Sequence, residues 1–129
     1  LDDYPRGRPS LRLPTYDYAQ PGGYSHYLPL DRICRFGEVT EGELHLNDAG
    51  HMVGQVWEEL PQRFPHISLD AFIVMPNHVH GIVLIQEYRA HQGLGQIIGA
   101  FKSLTTNRYI AGVHQCGWQR FSGRLWQDN

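Results

Sequence analysis

The sequence has few cysteines, no long apolar run and no strong excess of charge of either sign. Its two cysteines, Cys34 and Cys116, are far apart and form no Cys-x-x-Cys pair. Isolated cysteines are typical of reduced thiols, so neither a disulfide framework nor a structural zinc site is expected. No apolar stretch approaches the roughly 20 residues that a membrane-spanning helix needs. Residues 1–4 do not resemble the start of a signal peptide. These absences predict a cytoplasmic protein.

The charges are unevenly distributed, although the net charge of −2 argues against a protein that coats nucleic acid. Residues 30–70 hold eight acidic and three basic side chains, whereas from residue 89 onwards only Asp128 opposes the basic ones. The C-terminal third is therefore the part expected to contact phosphate, unless its basic residues belong to an ordinary solvated helix face. These residues are Arg89, Lys102, Arg108, Arg120 and Arg124.

The most informative segment is residues 75–85, which read MPNHVHGIVLI and place two histidines at the start of an apolar strand. A Pro-Asn turn separates this strand from the β-rich residues 70–75, so a hairpin is predicted. Side chains alternate across a strand, so His78 and His80 leave from one face with Cα atoms roughly 6.5 Å apart. Two such imidazoles can hold one divalent ion and leave positions open for a substrate oxygen.

Hydrophobic periodicity predicts the other elements. Residues 36–46 are typical of a short hairpin. Asn47 can cap a first helix, which Pro61 and Pro65 are expected to stop. Residues 92–112 predict a second helix with one apolar face.

The order of these elements predicts an α+β fold. Strand, helix, hairpin, helix and strand is the split βαβ pattern of a ferredoxin-like domain, with an antiparallel sheet and two helices. The length of 129 residues and the 41% hydrophobic content suit one such domain with a single core. The histidines of the first half are interpreted as surface or cap residues rather than ligands. They are His45, His51 and His66.

The His-x-His segment resembles the HUH signature (His, hydrophobic, His) of small single-strand DNA transposases that use one catalytic tyrosine, in particular the REP-associated tyrosine transposases. The likeness extends over most of the chain, in further segments that occur in the order seen in the family. The resemblance implies a single HUH transposase domain over residues 1–129. The similar segments are residues 12–18, 36–39, 46–50, 69–75, 101–107 and 123–127.

In that family the two histidines hold Mg²⁺ or Mn²⁺, and a tyrosine attacks a phosphate of single-stranded DNA to form a 5′-phosphotyrosine link. The resemblance therefore implies that His78 and His80 are metal ligands and that the activity is strand cleavage and rejoining. It implies single-stranded or hairpin DNA as the partner, with a homodimer as a further expected assembly. The candidate DNA-binding residues are Lys102, Arg108, Arg120 and Arg124.

The sequence departs from the family at its end. Family members continue past the Trp-Gln pair, here residues 126–127, with a strand and a helix that carries the nucleophilic tyrosine and a third metal ligand. This sequence ends at Asn129, so we expect a domain that lacks the tyrosine-bearing helix and is inactive in cleavage. Tyr109, beside the apolar face of the second predicted helix, is the candidate nucleophile that remains. A catalytically inactive DNA-binding remnant and a metal-dependent hydrolase are the alternative functions.

The first strand is the second departure. Where the family has an apolar segment of the type Tyr-Phe-Val-Thr-Ile-Cys, residues 24–30 read YSHYLPL. Pro29 cannot donate to a central ladder, so a damaged strand is predicted. One nucleotide string read in two frames encodes both Ser-His-Tyr-Leu-Pro and Val-Thr-Ile-Cys. A compensated local frameshift is therefore our hypothesis for this segment.

Overall fold

A computed structural model describes residues 17–30 and 35–127 of the chain. The predictions made for residues 1–4, Cys34 and residues 128–129, and most of the similar segment at 12–18, lie outside the described residues. The elements in chain order are β1 (Gly22–Pro29), β2 (Gly37–Thr40), β3 (Glu43–Leu46), α1 (Asp48–Arg63), β4 (Ile67–Met75), β5 (His78–Ile85) and α2 (Leu94–Cys116).

The main sheet has three strands in the order β1-β5-β4, and both pairings are antiparallel. Along the chain, α1 lies between β1 and β4. In the sheet, β5 lies between these two strands. This is the split βαβ arrangement, so the predicted α+β, ferredoxin-like fold with two helices is confirmed. The predicted hairpin of β2 and β3 forms a separate two-stranded sheet. A strand after α2 was also predicted, but residues 117–127 contain none.

The first strand is fully formed despite its proline. All eight residues of β1 pair with β5, in register from Gly22 opposite Ile85 to Pro29 opposite His78. Pro29 is the last residue of a strand at the edge of the described sheet. Proline is tolerated there because an edge strand pairs on one side only and needs fewer backbone N–H donors. The expectation of a damaged strand is therefore wrong for these residues.

The first helix begins at the predicted cap. The side-chain oxygen of Asn47 accepts a hydrogen bond of 2.9 Å from the backbone N–H of Gly50. The helix ends at Arg63, between the two prolines expected to stop it. Pro61 lies inside the last turn, where its missing N–H removes only one intrahelical hydrogen bond. The N–H of Phe64 then closes the helix by donating to the carbonyl of Leu60.

The two faces of the main sheet are different. Val79 and Val83 of β5 are buried on the face that α1 and α2 cover. Between them, Gly81 allows a close approach, since a Cβ there would come within 2.8 Å of Trp57 on α1. The Trp57 ring meets that of Phe101 on α2 edge to face, at 5.9 Å. Since strand side chains alternate, the residues of β5 at positions 78, 80, 82 and 84 point to the opposite face, and none of them is buried.

The second helix is longer than predicted, from Leu94 to Cys116, and ends at Gly117 in the left-handed conformation with φ 74°. No helix of residues 17–30 and 35–127 is both long and apolar enough to cross a membrane.

His45 and His51 are exposed, as interpreted, but His66 is buried at 3% exposure. Its Nε2–H donates to the carbonyl of Gln92 at 2.8 Å, which makes the interpretation of His66 as a surface residue wrong.

Candidate functional site

His78 and His80 lie at the first and third positions of β5, on the face of the sheet that the helices leave open. His78 is half-buried and His80 is exposed. The cross-strand neighbours of His80 are Tyr27 on β1 and Ile73 on β4, which are 43% and 50% exposed. Solvent therefore reaches the pair across the sheet. We call this surface the histidine face, defined by Ser25, Tyr27, Ile73, His78, His80 and Ile82.

The ring of His78 is held by the turn that precedes it. Its Nδ1–H donates to the side-chain oxygen of Asn77 at 3.1 Å, which leaves the lone pair on Nε2. Partial burial, and secondarily the nearby charge of His80, lower the pKa of His78 below its ordinary value. The lowered pKa favours the neutral ring, which is the form that binds a metal ion.

The ring of His80 is held from the neighbouring strand. Its Nε2 forms a hydrogen bond of 2.9 Å with the hydroxyl of Ser25 on β1. When Nε2 donates this bond, the lone pair is on Nδ1. Histidines that bind metal ions are commonly oriented in this way, by a hydrogen bond at the ring nitrogen that does not face the ion. Sequence reasoning missed both Ser25 and Asn77 as partners of the histidines.

Tyr27 is a third aromatic ring at the site. Its centroid lies 5.0 Å from that of His78 and 6.2 Å from that of His80. Sequence reasoning missed this residue as well, because it lies 51 positions before His78 and only the register of β1 against β5 brings it to the histidines. The three rings form a partly exposed aromatic surface on which a planar group can stack.

The donor atoms at the site restrict the kind of ion that fits. Within residues 17–30 and 35–127, no three His, Cys, Asp or Glu side chains converge as a metal-binding group. Two imidazoles suit an ion that keeps several water or substrate oxygens, as Mg²⁺ and Mn²⁺ do. Nitrogen donors favour later first-row metals over both, so affinity for Mn²⁺ should be weak. The two imidazole donors fit only a divalent ion that completes its coordination with water or substrate oxygens.

Tyr109 lies away from the histidine face. Its side chain is 1% exposed, and its hydroxyl donates a 2.8 Å hydrogen bond to the carbonyl of Gln119. It packs on α2 against Trp118 and Phe121, in the layer of helices. Tyr109 thus belongs to the core that contains Val79 and Val83, whereas His78 and His80 point from the other face of β5.

The four candidate DNA-binding residues have different environments. Arg108 forms a two-bond ion pair with Glu59 of α1, with distances of 2.8 and 3.1 Å. The Arg108 hydrogen bonds lower the pKa of the Glu59 carboxyl. Arg120 is exposed in the segment after α2. Lys102 and Arg124 line one cavity of about 250 Å³.

Comparison with known proteins gives one informative match. No protein-family model matches the sequence. The chain is 35% identical over 141 aligned residues to an uncharacterized protein of Haemophilus influenzae. This alignment covers 95% of the chain and 75% of the relative. At this identity and coverage, the chain belongs to the same family as the Haemophilus influenzae protein.

Proposed function

We propose that the chain is a single-stranded DNA-binding domain of the HUH transposase type, in which His78 and His80 bind Mg²⁺ or Mn²⁺ next to a DNA phosphate. The observation that carries the proposal is the pair of imidazoles on one open face of a ferredoxin-like sheet, each ring held by its own hydrogen bond. When bound, such an ion supplies positive charge to the non-bridging oxygens of the phosphate. In the intact family this chemistry serves strand cleavage and rejoining through a 5′-phosphotyrosine. The proposed location is the cytoplasm.

The form of the histidine face supports a single strand rather than a duplex as the ligand. Unpaired bases can stack on exposed aromatic rings, and each such contact is worth about 1–3 kcal/mol. Tyr27, which is exposed, and His78, which is half-buried, offer neighbouring rings at 5.0 Å. A base stacked there would bring its phosphate close to the imidazoles.

The test measures binding of a labelled single-stranded oligonucleotide by fluorescence anisotropy, once in the presence of Mn²⁺ and once in the presence of EDTA. We expect Mn²⁺ to strengthen binding by the native chain, because the ion joins the imidazoles to a phosphate. The His78→Ala, His80→Ala double variant should lose this gain. A His45→Ala, His51→Ala double variant removes two exposed histidines outside the histidine face and should retain it. Equal affinity with Mn²⁺ and EDTA in the native chain would contradict the proposal.

The same samples distinguish the two alternative functions. A catalytically inactive remnant binds the strand and releases no product. Mn²⁺-dependent strand scission without a covalent protein–DNA adduct would instead support the metal-dependent hydrolase. A denaturing gel separates intact strand, cleaved strand and adduct in one measurement.

A further inference from the structure

A cavity of about 250 Å³ lies between α2 and the segment that follows it. Its wall is mainly apolar and includes Ile110 of α2 and, from the later segment, Phe121, Leu125 and Trp126. Because α2 packs on the side of the sheet opposite to the histidines, this cavity is separate from the histidine face. The metal site proposed above does not use it.

The cavity wall is held in place by buried contacts. Trp126 is 4% exposed, and its indole N–H donates to the hydroxyl of Thr105 at 2.9 Å. Its ring also packs against Phe101 at 5.8 Å and Phe36 at 5.5 Å. These three contacts fix Trp126, so a ligand would not need to order this part of the wall.

The charge of the cavity favours an anionic ligand. Lys102 and Thr106 are one helical turn apart on α2, and Arg124 approaches from the later segment. Of the described residues that line the cavity, none is acidic. An apolar wall with cations beside it suits a flat ring that is linked to a negatively charged group.

We propose that this cavity receives one unpaired base of single-stranded DNA, with the adjacent phosphates on Lys102 and Arg124. The volume is below the roughly 300–1,000 Å³ of pockets for drug-sized ligands and suits a single base. Aromatic walls stack bases without requiring one sequence, and the cations bind the backbone. This inference rests on the proposed function and adds a second contact that needs no metal ion.

The experiment compares two oligonucleotides of equal length in EDTA, one intact and one with abasic sites throughout. Both carry the same phosphates, so a difference in affinity reports the bases. We expect the intact strand to bind about 5–10-fold more tightly, the order of one stacked base. An Ile110→Glu variant should reduce this preference, because it places a carboxylate at the cavity, while stacking on Tyr27 and His78 is retained. A preference unchanged in this variant would overturn the inference. Since Ile110 is 39% exposed, the substitution should not prevent folding.

A matched pair of arginines tests the phosphate contacts. Arg124→Ala should weaken binding of the intact strand by about 3–10-fold, while Arg63→Ala should change it less than twofold. Arg63 is exposed at the end of α1 and does not line the cavity. Equal losses in the two variants would overturn the inference, as would equal affinity for the intact and abasic strands.

Failure of this inference can be separated from failure of the proposed function. If Mn²⁺ strengthens binding through His78 and His80 but the cavity variants behave like Arg63→Ala, only the cavity is wrong. If neither strand binds in EDTA or in Mn²⁺, the proposed function fails and the inference fails with it.

Discussion

Single hydrogen bonds decide how the histidines present their lone pairs. The Ser25 hydroxyl holds His80 at 2.9 Å, and removing it would let the ring turn. We predict that Ser25→Ala lowers the affinity for Mn²⁺ by about 10-fold, the usual effect of losing a hydrogen bond behind a metal ligand. Isothermal titration calorimetry with Mn²⁺, or with the tighter-binding Ni²⁺, measures this. Ser68→Ala is the control, because Ser68 is also on the sheet but bonds to Gln86. An unchanged affinity in Ser25→Ala would show that Ser25 has no orienting role.

The environment of Tyr109 predicts a structural role for its hydroxyl. In Tyr109→Phe the ring contacts stay, and the hydrogen bond to the carbonyl of Gln119 is lost. The free energy of unfolding in urea should fall by about 1 kcal/mol. The affinity for Mn²⁺ should not change, because Tyr109 packs on the helix-covered side of the sheet and the histidine face is the other side. A covalent protein–DNA adduct that disappears in Tyr109→Phe would contradict this and make Tyr109 the nucleophile.

At the scale of elements, one ion pair joins the two helices. Arg108 of α2 lowers the pKa of Glu59 on α1 below 4.5, so the folded state binds a proton less readily than the unfolded state. The pair therefore stabilises the fold at pH values above 4.5, and the stabilisation is lost as the pH falls through the lowered pKa. Both side chains are about two-fifths exposed, at 40% and 41%, so solvent limits the contribution to about 1 kcal/mol or less.

This ion pair gives a pH-dependent prediction. Glu59→Gln should lower stability to urea at pH 7, and the difference from the native chain should shrink towards pH 3 and in high salt. Glu58→Gln changes the neighbouring, exposed carboxylate and is the control. A difference that stays constant from pH 7 to pH 3 would mean that the amide disturbs packing rather than charge.

At the scale of the whole molecule, the sheet separates two proposed binding regions. The histidine face is on one side, and the cavity with Lys102 and Arg124 is on the side of the helices. For single strands, each phosphate neutralised contributes about −0.7 to the slope of log affinity against log salt. In EDTA, the Lys102→Ala, Arg124→Ala double variant should therefore have a slope about 1.4 units shallower than the native chain. Anisotropy titrations at several salt concentrations measure the slope, and an unchanged slope would exclude phosphate contacts at the cavity.

Local patterns were sufficient for several elements of the fold. The cap at Asn47 and the hairpin depend on neighbours within a few positions, so the sequence alone predicted them. The hairpin was predicted from residue 70, and its first strand begins three residues earlier, at Ile67. Burial of the apolar face of α2 follows from helical spacing in the same way. The sequence did not fix the end of α1 to the residue. Pro61 removes one intrahelical hydrogen bond, but the helix continues through it to Arg63.

The sequence by itself determined that His78 and His80 share one face, because the period of a strand fixes that relation between residues two apart. Only the tertiary structure decided what surrounds them. Ser25 and Tyr27 reach the histidines through the register of β1 against β5, and Arg108 is joined to Glu59 by the packing of α1 on α2. Each of these contacts joins residues about 50 positions apart. Such contacts depend on how whole elements pair, and a pattern confined to one element contains no information about its neighbour.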